Sequence, residues 1–164
     1  MRTADRIVDL ETAIQRVTAW REAGETVVLA NGVFDILHVG HPRYLAGSRA
    51  LGTRLVVGIN GDRSAATHKG AGRPVVRAGD RAALVAALAG VDLVVIFEEP
   101  TVDGLLRALC PAAHAKGTDY RLDTVPERET ALGLGARVAI VGDAKTHASR
   151  DLVARVRDLA TRVR

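Results

Sequence analysis

Short apolar runs and amphipathic stretches alternate along this chain. Leu10, Ile14, Val17 and Trp20 recur at spacings of three and four, which predicts a helix over about 9–22, ended by Gly24. The first apolar run, 26–30, predicts a strand. Pro42 then stands at a favourable first helical position, predicting a helix over 42–51 that Gly52 stops. Further strands are predicted at 54–60, 92–97 and 137–142, and a weaker one in "AAHAKG", 112–117. Helices are predicted near 78–89, 102–109, 127–133 and 149–163; the polar, glycine-rich stretch 61–73 and "TDYRLDTVPE" read as loops. Apolar strands alternating with helices predict an α/β fold, a doubly wound parallel five-stranded sheet with helices on both faces. The 164 residues read as one domain, 1–164, with the N-terminal helix preceding a core of about 26–164.

Right-handed crossovers place the loops after the strands on one edge, and in such sheets ligands bind beyond the carboxyl ends of the strands. That edge gathers Asn31–His41, the Lys69 loop, Lys116–Tyr120 and Gly142–Ser149, with His38, His41, His68, His147 and all the lysines among them. In "NGVFDILHVGH", Gly32 and Gly40 stand where a backbone approaches a ligand or turns tightly. A helix beginning near His41–Pro42 offers free N–H groups and the positive end of its dipole to a phosphate. His38 and His41 add hydrogen-bond donors that gain strength on protonation. The dinucleotide pattern G-x-G-x-x-G, the Walker A loop, a serine nucleophile elbow and H-E-x-x-H are all absent from the sequence.

Charge and composition narrow the ligand. The net charge is +4 and the pI about 9.8, but the basic residues form no tract and aromatics are only 3%. With few platforms for base stacking, a pocket for small anions fits better than a nucleic-acid surface. Only three of the 23 lysine and arginine residues are lysines, at 69, 116 and 145, where a compact ammonium suits a phosphate oxygen. Cys110 is the single cysteine, which excludes a disulfide framework and disfavours structural zinc. No apolar run approaches the roughly 18 residues of a membrane span, and the charged N-terminus lacks an apolar signal core. A cytoplasmic protein with no membrane partner is expected.

"NGVFDILHVGH" resembles the H-x-G-H signature of the small nucleotidyltransferases related to cytidylyltransferases and to class I aminoacyl-tRNA synthetases. More narrowly, "NGVFDILHVGHPRYLAGSRALGTRLVVGINGD", "KGAGRPV", "DRAALVAAL" and "AKGTDY" together resemble the heptose 1-phosphate adenylyltransferases, over about residues 26–160. The resemblance implies a Rossmann-like sheet of the nucleotidyltransferase type. It implies attack of a sugar-phosphate oxygen on the α-phosphorus of ATP, with loss of pyrophosphate. Magnesium would sit on the nucleotide phosphates, with no metal ligands from the protein.

The same resemblance implies roles by position. His38, His41 and Lys69 would be catalytic, contacting the triphosphate, with Lys69 on a mobile loop whose Gly70 and Gly72 suit a lid. Gly32, Val33, Phe34, Gly40, Lys116, Gly117, Asp119, Gly142, Thr146 and Ser149 would line the nucleotide. Asp35, Arg73, Arg81 and Tyr120 would meet the substrate, Asp35 alternatively ordering the site. The family's hydroxyl triplet at the last helix start reads Ala148-Ser149-Arg150 here. Only Ser149 keeps a hydroxyl, as an N-cap, and Thr146, His147 and Arg150 are alternative phosphate contacts. "VPERET", 125–130, reads as a solvated helix start, with sugar contact as the alternative.

Relatives of this kind are often fused to a sugar kinase, so the resemblance implies a stand-alone transferase served by a separate kinase. Dimers are common among them, which makes a homodimer a candidate assembly. Two other functions share these features: a cytidylyltransferase for glycerol 3-phosphate or a related alcohol phosphate, and a nucleotide-binding regulatory protein without turnover.

Overall fold

The computed structural model describes residues 2–143 and 149–162, the side chains of 149–151 excepted. A short 3-10 turn, Thr3–Arg6, leads into strand β1 (Ile7–Val8) and helix α1 (Leu10–Glu22). Asp9 caps α1, its carboxylate accepting from the Thr12 amide at 2.8 Å. There follow β2 (Val27–Gly32), α2 (Gly40–Arg49), β3 (Arg54–Asn60), α3 (Asp62–Lys69), α4 (Ala78–Ala86) and β4 (Leu93–Phe97). The chain continues through α5 (Asp103–Leu109), β5 (Ala113–Gly117), α6 (Arg128–Gly133), β6 (Arg137–Val141) and α7 (Ser149–Arg162).

All strand pairs are parallel, in the order β1-β4-β3-β2-β5-β6. Successive residues of β2 point to opposite faces, and each face has its own core. Val27 and Leu29 pack with Ala13 and Val17 of α1, Leu105, Leu106 and Leu109 of α5, and Ala131 of α6. Val28 and Ala30 pack with Leu45 of α2 and with Ala82, Val85 and Ala86 of α4. Helices therefore cover both faces, as the unbroken apolar runs of β2, β3 and β4 require.

Three expectations change. The sheet has six strands, because Ile7 and Val8 pair with Val94 and Val95 at the edge; two residues are too short to leave a periodic signal. The expected loop 61–73 is largely the helix α3, with His68 and Lys69 in its last turn. Only Ser64 and Ala65 of α3 are buried, so it lacks the apolar stripe by which a helix is recognised. Helix α2 also begins at Gly40, two residues before Pro42. No helix among the described residues is long and apolar enough to cross a membrane.

Candidate functional site

Strands β3 and β5 flank β2 on either side, and the chain reverses its winding direction there. Ladder pairing of β2 with β5 ends at Ala30 and Ala115. Beyond it the Tyr44 hydroxyl is inserted, donating to Ala115 O at 2.8 Å and accepting from the Asn31 amide at 3.3 Å. The strands are thus held apart at their carboxyl ends, where open α/β sheets bind ligands. A cleft of about 670 Å³ opens at this point.

The turn after β2 is built under backbone strain. Phe34 and Ile36 have φ of 53° and 55°, in the left-handed region that non-glycine residues seldom occupy. Its surroundings hold it there. The Phe34 ring is buried against His41 and Tyr44, with centroids at 5.4 and 6.3 Å. The buried Arg81 guanidinium donates to Val33 O, to Asn60 O at 2.8 Å and to Val76 O at 2.8 Å, and pairs with Asp62 at 2.7 Å.

The two histidines that follow have defined tautomers. The His38 amide donates to His41 Nδ1 at 3.1 Å, and the Gly40 amide to His38 Nδ1 at 3.2 Å. An imidazole accepting at Nδ1 carries its proton at Nε2 when neutral. The ring centroids are 4.1 Å apart. Burial, then the nearby His38 and Lys69, lower the His41 pKa from 6.5 to about 4, so it is neutral before any anion arrives. Gly40 has no left-handed φ and opens α2, so its value lies in contact and not in turning: a Cβ there would lie 3.0 Å from His38 Cε1. The first turn of α2 contains no acidic residue, but the free N–H groups expected from the sequence are taken: Gly40 donates to His38 Nδ1, His41 to His38 O and Arg43 to Val39 O, and Pro42 has none, so the helix offers an anion its dipole end and not its amides.

On the β5 side, Lys116 is buried, with Nζ 3.2 Å from both Glu127 Oε2 and Asn31 Oδ1 and 4.6 Å from the Tyr120 ring centre. Beneath it the buried His114 places Nε2 3.2 Å from Asn31 Oδ1, while its Nδ1 has no hydrogen-bond partner among the described residues. Burial and the Lys116 charge lower the His114 pKa. Across the mouth, Arg43 pairs with Asp143 at 3.3 Å, and the Thr118 hydroxyl donates to Asp143 O at 2.9 Å.

Most of the residues expected from the sequence meet here. Gly32, Val33, Phe34, His38, Gly40 and His41 line one wall. Lys116, Gly117, Asp119, Tyr120 and Gly142 line the other, and Lys69, Arg73 and Asp35 close the third side. Arg81 is not a lining residue; it brackets the ends of β2 and β3 from beneath. Thr146 lies outside the described residues, and of Ser149 only its place as first residue of α7 is described. Sequence reasoning missed Asn31, Tyr44, His114 and Arg43. It placed Glu127 at a solvated helix start, whereas Glu127 is the buried partner of Lys116. Neither of the two acids in "VPERET" gives a sign of a lysine eleven residues before Glu127 that needs a counter-charge.

Among the described residues no group of three or more His, Cys, Asp or Glu side chains could hold a metal ion. In the cleft, the Asp35 carboxylate is taken up by Arg73 and backbone amides and that of Glu127 by Lys116.

The strand order, the strained turn and the histidine pair at a helix start are those of a nucleotidyltransferase. Residues 29–157 match the cytidylyltransferase-like family, and the chain belongs to it. Among curated proteins it is 44% identical to the bifunctional protein HldE of Methylobacillus flagellatus, over 84% of this chain and 28% of that protein. It is 47% identical to HldE of Mesorhizobium japonicum over 84% of this chain, and 43% identical to that of Magnetococcus marinus over 93%. The chain spans 28–31% of the length of these relatives. Among solved structures, the lipopolysaccharide core biosynthesis protein from Thermoplasma volcanium superposes with a TM-score of 0.65 at 28% identity. That match covers 74% of this chain and all of the other.

Proposed function

We propose that this chain transfers AMP from ATP to a sugar 1-phosphate, D-glycero-D-manno-heptose 1-phosphate being the favoured acceptor, and that residues 1–164 act as one nucleotidyltransferase domain. The observation that carries the reading is the donor set in the cleft. Two imidazoles with occupied Nδ1 atoms, the dipole end of α2 and Lys69 converge there. That set suits a reaction whose nucleophile is already charged. A phosphate-monoester oxygen of the acceptor attacks the α-phosphorus and a new P–O bond forms. The bond to the pyrophosphate oxygen breaks, and pyrophosphate leaves with the electron pair. The protein's part is alignment and stabilisation of charge.

In this reading His38, His41 and the start of α2 bind the α- and β-phosphates, and Lys69 the outgoing phosphates. The backbone of Gly32, Val33 and Phe34 lies along the nucleotide. Lys116, Gly117, Asp119 and Gly142 border the nucleoside, and Arg73 and Tyr120 face the acceptor. The residues described do not compose a resident metal site; magnesium enters with ATP, as part of the substrate, taking its oxygen ligands from phosphates and water. A sugar kinase activity supplies the acceptor.

The test is pyrophosphate release across four nucleotides and a set of phosphorylated sugars and alcohols. Release with ATP and heptose 1-phosphate is expected. The family's cytidylyltransferase-like character favours a second reading, in which release needs CTP and an alcohol phosphate. Nucleotide binding with no release from any pair would leave a regulatory protein instead. His41→Ala is expected to lower kcat about 10²–10³-fold with an unchanged far-UV spectrum and melting transition; retained turnover would remove the histidine from the mechanism.

A further inference from the structure

The cleft that holds the histidine pair also contains a carboxylate that the reaction does not consume. Asp35 is 2% exposed. Its Oδ1 accepts from the amides of Val75 at 3.1 Å and Val76 at 3.0 Å, and its Oδ2 from Val75 at 3.0 Å and from the Arg73 guanidinium at 2.6 Å. A buried carboxylate needs such partners, and here both oxygens receive them from the protein. We propose that Asp35 is a positioning residue which clamps the far end of the Gly70–Arg73 turn and so holds the Lys69 ammonium beside His38 and His41.

The turn is fixed at two places and open between them. At its near end α3 is tied to the segment after β4: the Ser64 hydroxyl donates to Glu99 O at 3.0 Å, and His68 Nε2 lies 2.9 Å from Pro100 O. At its far end stands the Asp35 clamp. Between them Gly70 and Gly72 have φ of 87° and 77°, and a Cβ on either would meet nothing within 4 Å. The intervening backbone bond, Arg73 N to Gly70 O, is long at 3.3 Å. Lys69 is exposed and lines the cleft, and its charge is felt at His41. The position of its ammonium therefore depends on where the clamp holds the turn. The same carboxylate sits between Phe34 and Ile36, so strained turn and lysine turn are set by one group.

The inference rests on the nucleotidyltransferase reading, and its test separates the two. Asp35→Asn keeps the shape and one acceptor but removes the charge that Arg73 requires. ATP–magnesium affinity is measured by calorimetry for Asp35→Asn, Lys69→Ala and the double variant, and amide hydrogen exchange is followed over residues 69–77. Each single change is expected to weaken binding about tenfold, with the double variant no weaker than the singles, because both remove the same contact. Exchange at Val75 and Val76 is expected to quicken at least tenfold, with β2 and β3 as protected as before. Additive losses reaching about a hundredfold, or unchanged exchange at Val75 and Val76, would overturn the clamp. If Asp35→Asn fails to fold, Arg73→Met removes the guanidinium alone and carries the same expectations. A wild-type chain that binds no nucleotide would overturn the functional reading, while exchange at the two valines would still decide the clamp.

Discussion

The Tyr44 hydroxyl stands where a backbone hydrogen bond between Asn31 and Ala115 would continue the sheet. It satisfies both backbone groups while keeping β2 and β5 apart, so a single side chain both opens the cleft and makes that opening tolerable. Burial raises its pKa well above the usual phenol range, so it remains a hydroxyl and a donor. Tyr44→Phe leaves a buried amide and carbonyl without partners. A loss of about 1–3 kcal/mol in urea unfolding is expected; an unchanged midpoint would mean that the strands close on one another or that water takes the place. Gly40 acts at the same scale in the opposite sense, by what it lacks. Gly40→Ala pushes a methyl group into the His38 ring and displaces the imidazole. Stability should move by less than about 1 kcal/mol, whereas turnover falls about 10²-fold, which steady-state kinetics beside thermal melting would show.

At the scale of elements, β2, β3 and β4 were legible because both of their faces are buried almost throughout. A run such as "RLVVGIN" is apolar without alternation because β3 is buried along nearly its whole length. The H-x-G-H turn was legible because its residue types are unusual after a strand. Helix α3 was not, since it packs through Ser64 and Ala65 and is otherwise a polar surface element. The roles of Glu127 and His114 were not, because the partner of each is brought by another part of the sheet. Gly58 shows a further limit. In the sequence it is a weak point in β3, yet the close approach of α5 and Phe97 requires it: a Cβ would lie 2.9 Å from Leu105 Cδ1 and 3.2 Å from Phe97 Cε1. Gly58→Ala is expected to cost about 1–3 kcal/mol by overpacking, and Leu105→Ala in the same chain should recover part of it. Additive losses in that pair would show that the two do not share the space.

For the whole molecule, burying two histidines near the cleft couples folding to pH. Burial, helped by His38 and Lys69, holds the His41 pKa at about 4, against 6.5 when exposed, and burial with Lys116 lowers that of His114. Between pH 6.5 and 4 the unfolded chain therefore binds protons that the folded chain refuses. Stability is then fully present above pH 6.5 and is lost as pH falls toward 4, by up to about 1.4 kcal/mol per pH unit for each histidine. The carboxylates of Asp9, held low by the Thr12 amide, and Glu25, held low by the Thr53 hydroxyl and Arg54, weaken the fold only at more acidic pH. Urea unfolding at pH 7.5, 6.0 and 5.0 isolates the histidine window. The midpoint should fall steadily across it, and His41→Gln should flatten the slope without abolishing it, since His114 remains. A midpoint independent of pH from 7.5 to 5.0 would mean that both rings accept protons in the folded state. Bound triphosphate should reverse the His41 contribution, because a proton on that ring then meets a negative charge. The loss on acidification should therefore shrink with saturating ATP present, and shrink less in the His41→Gln variant.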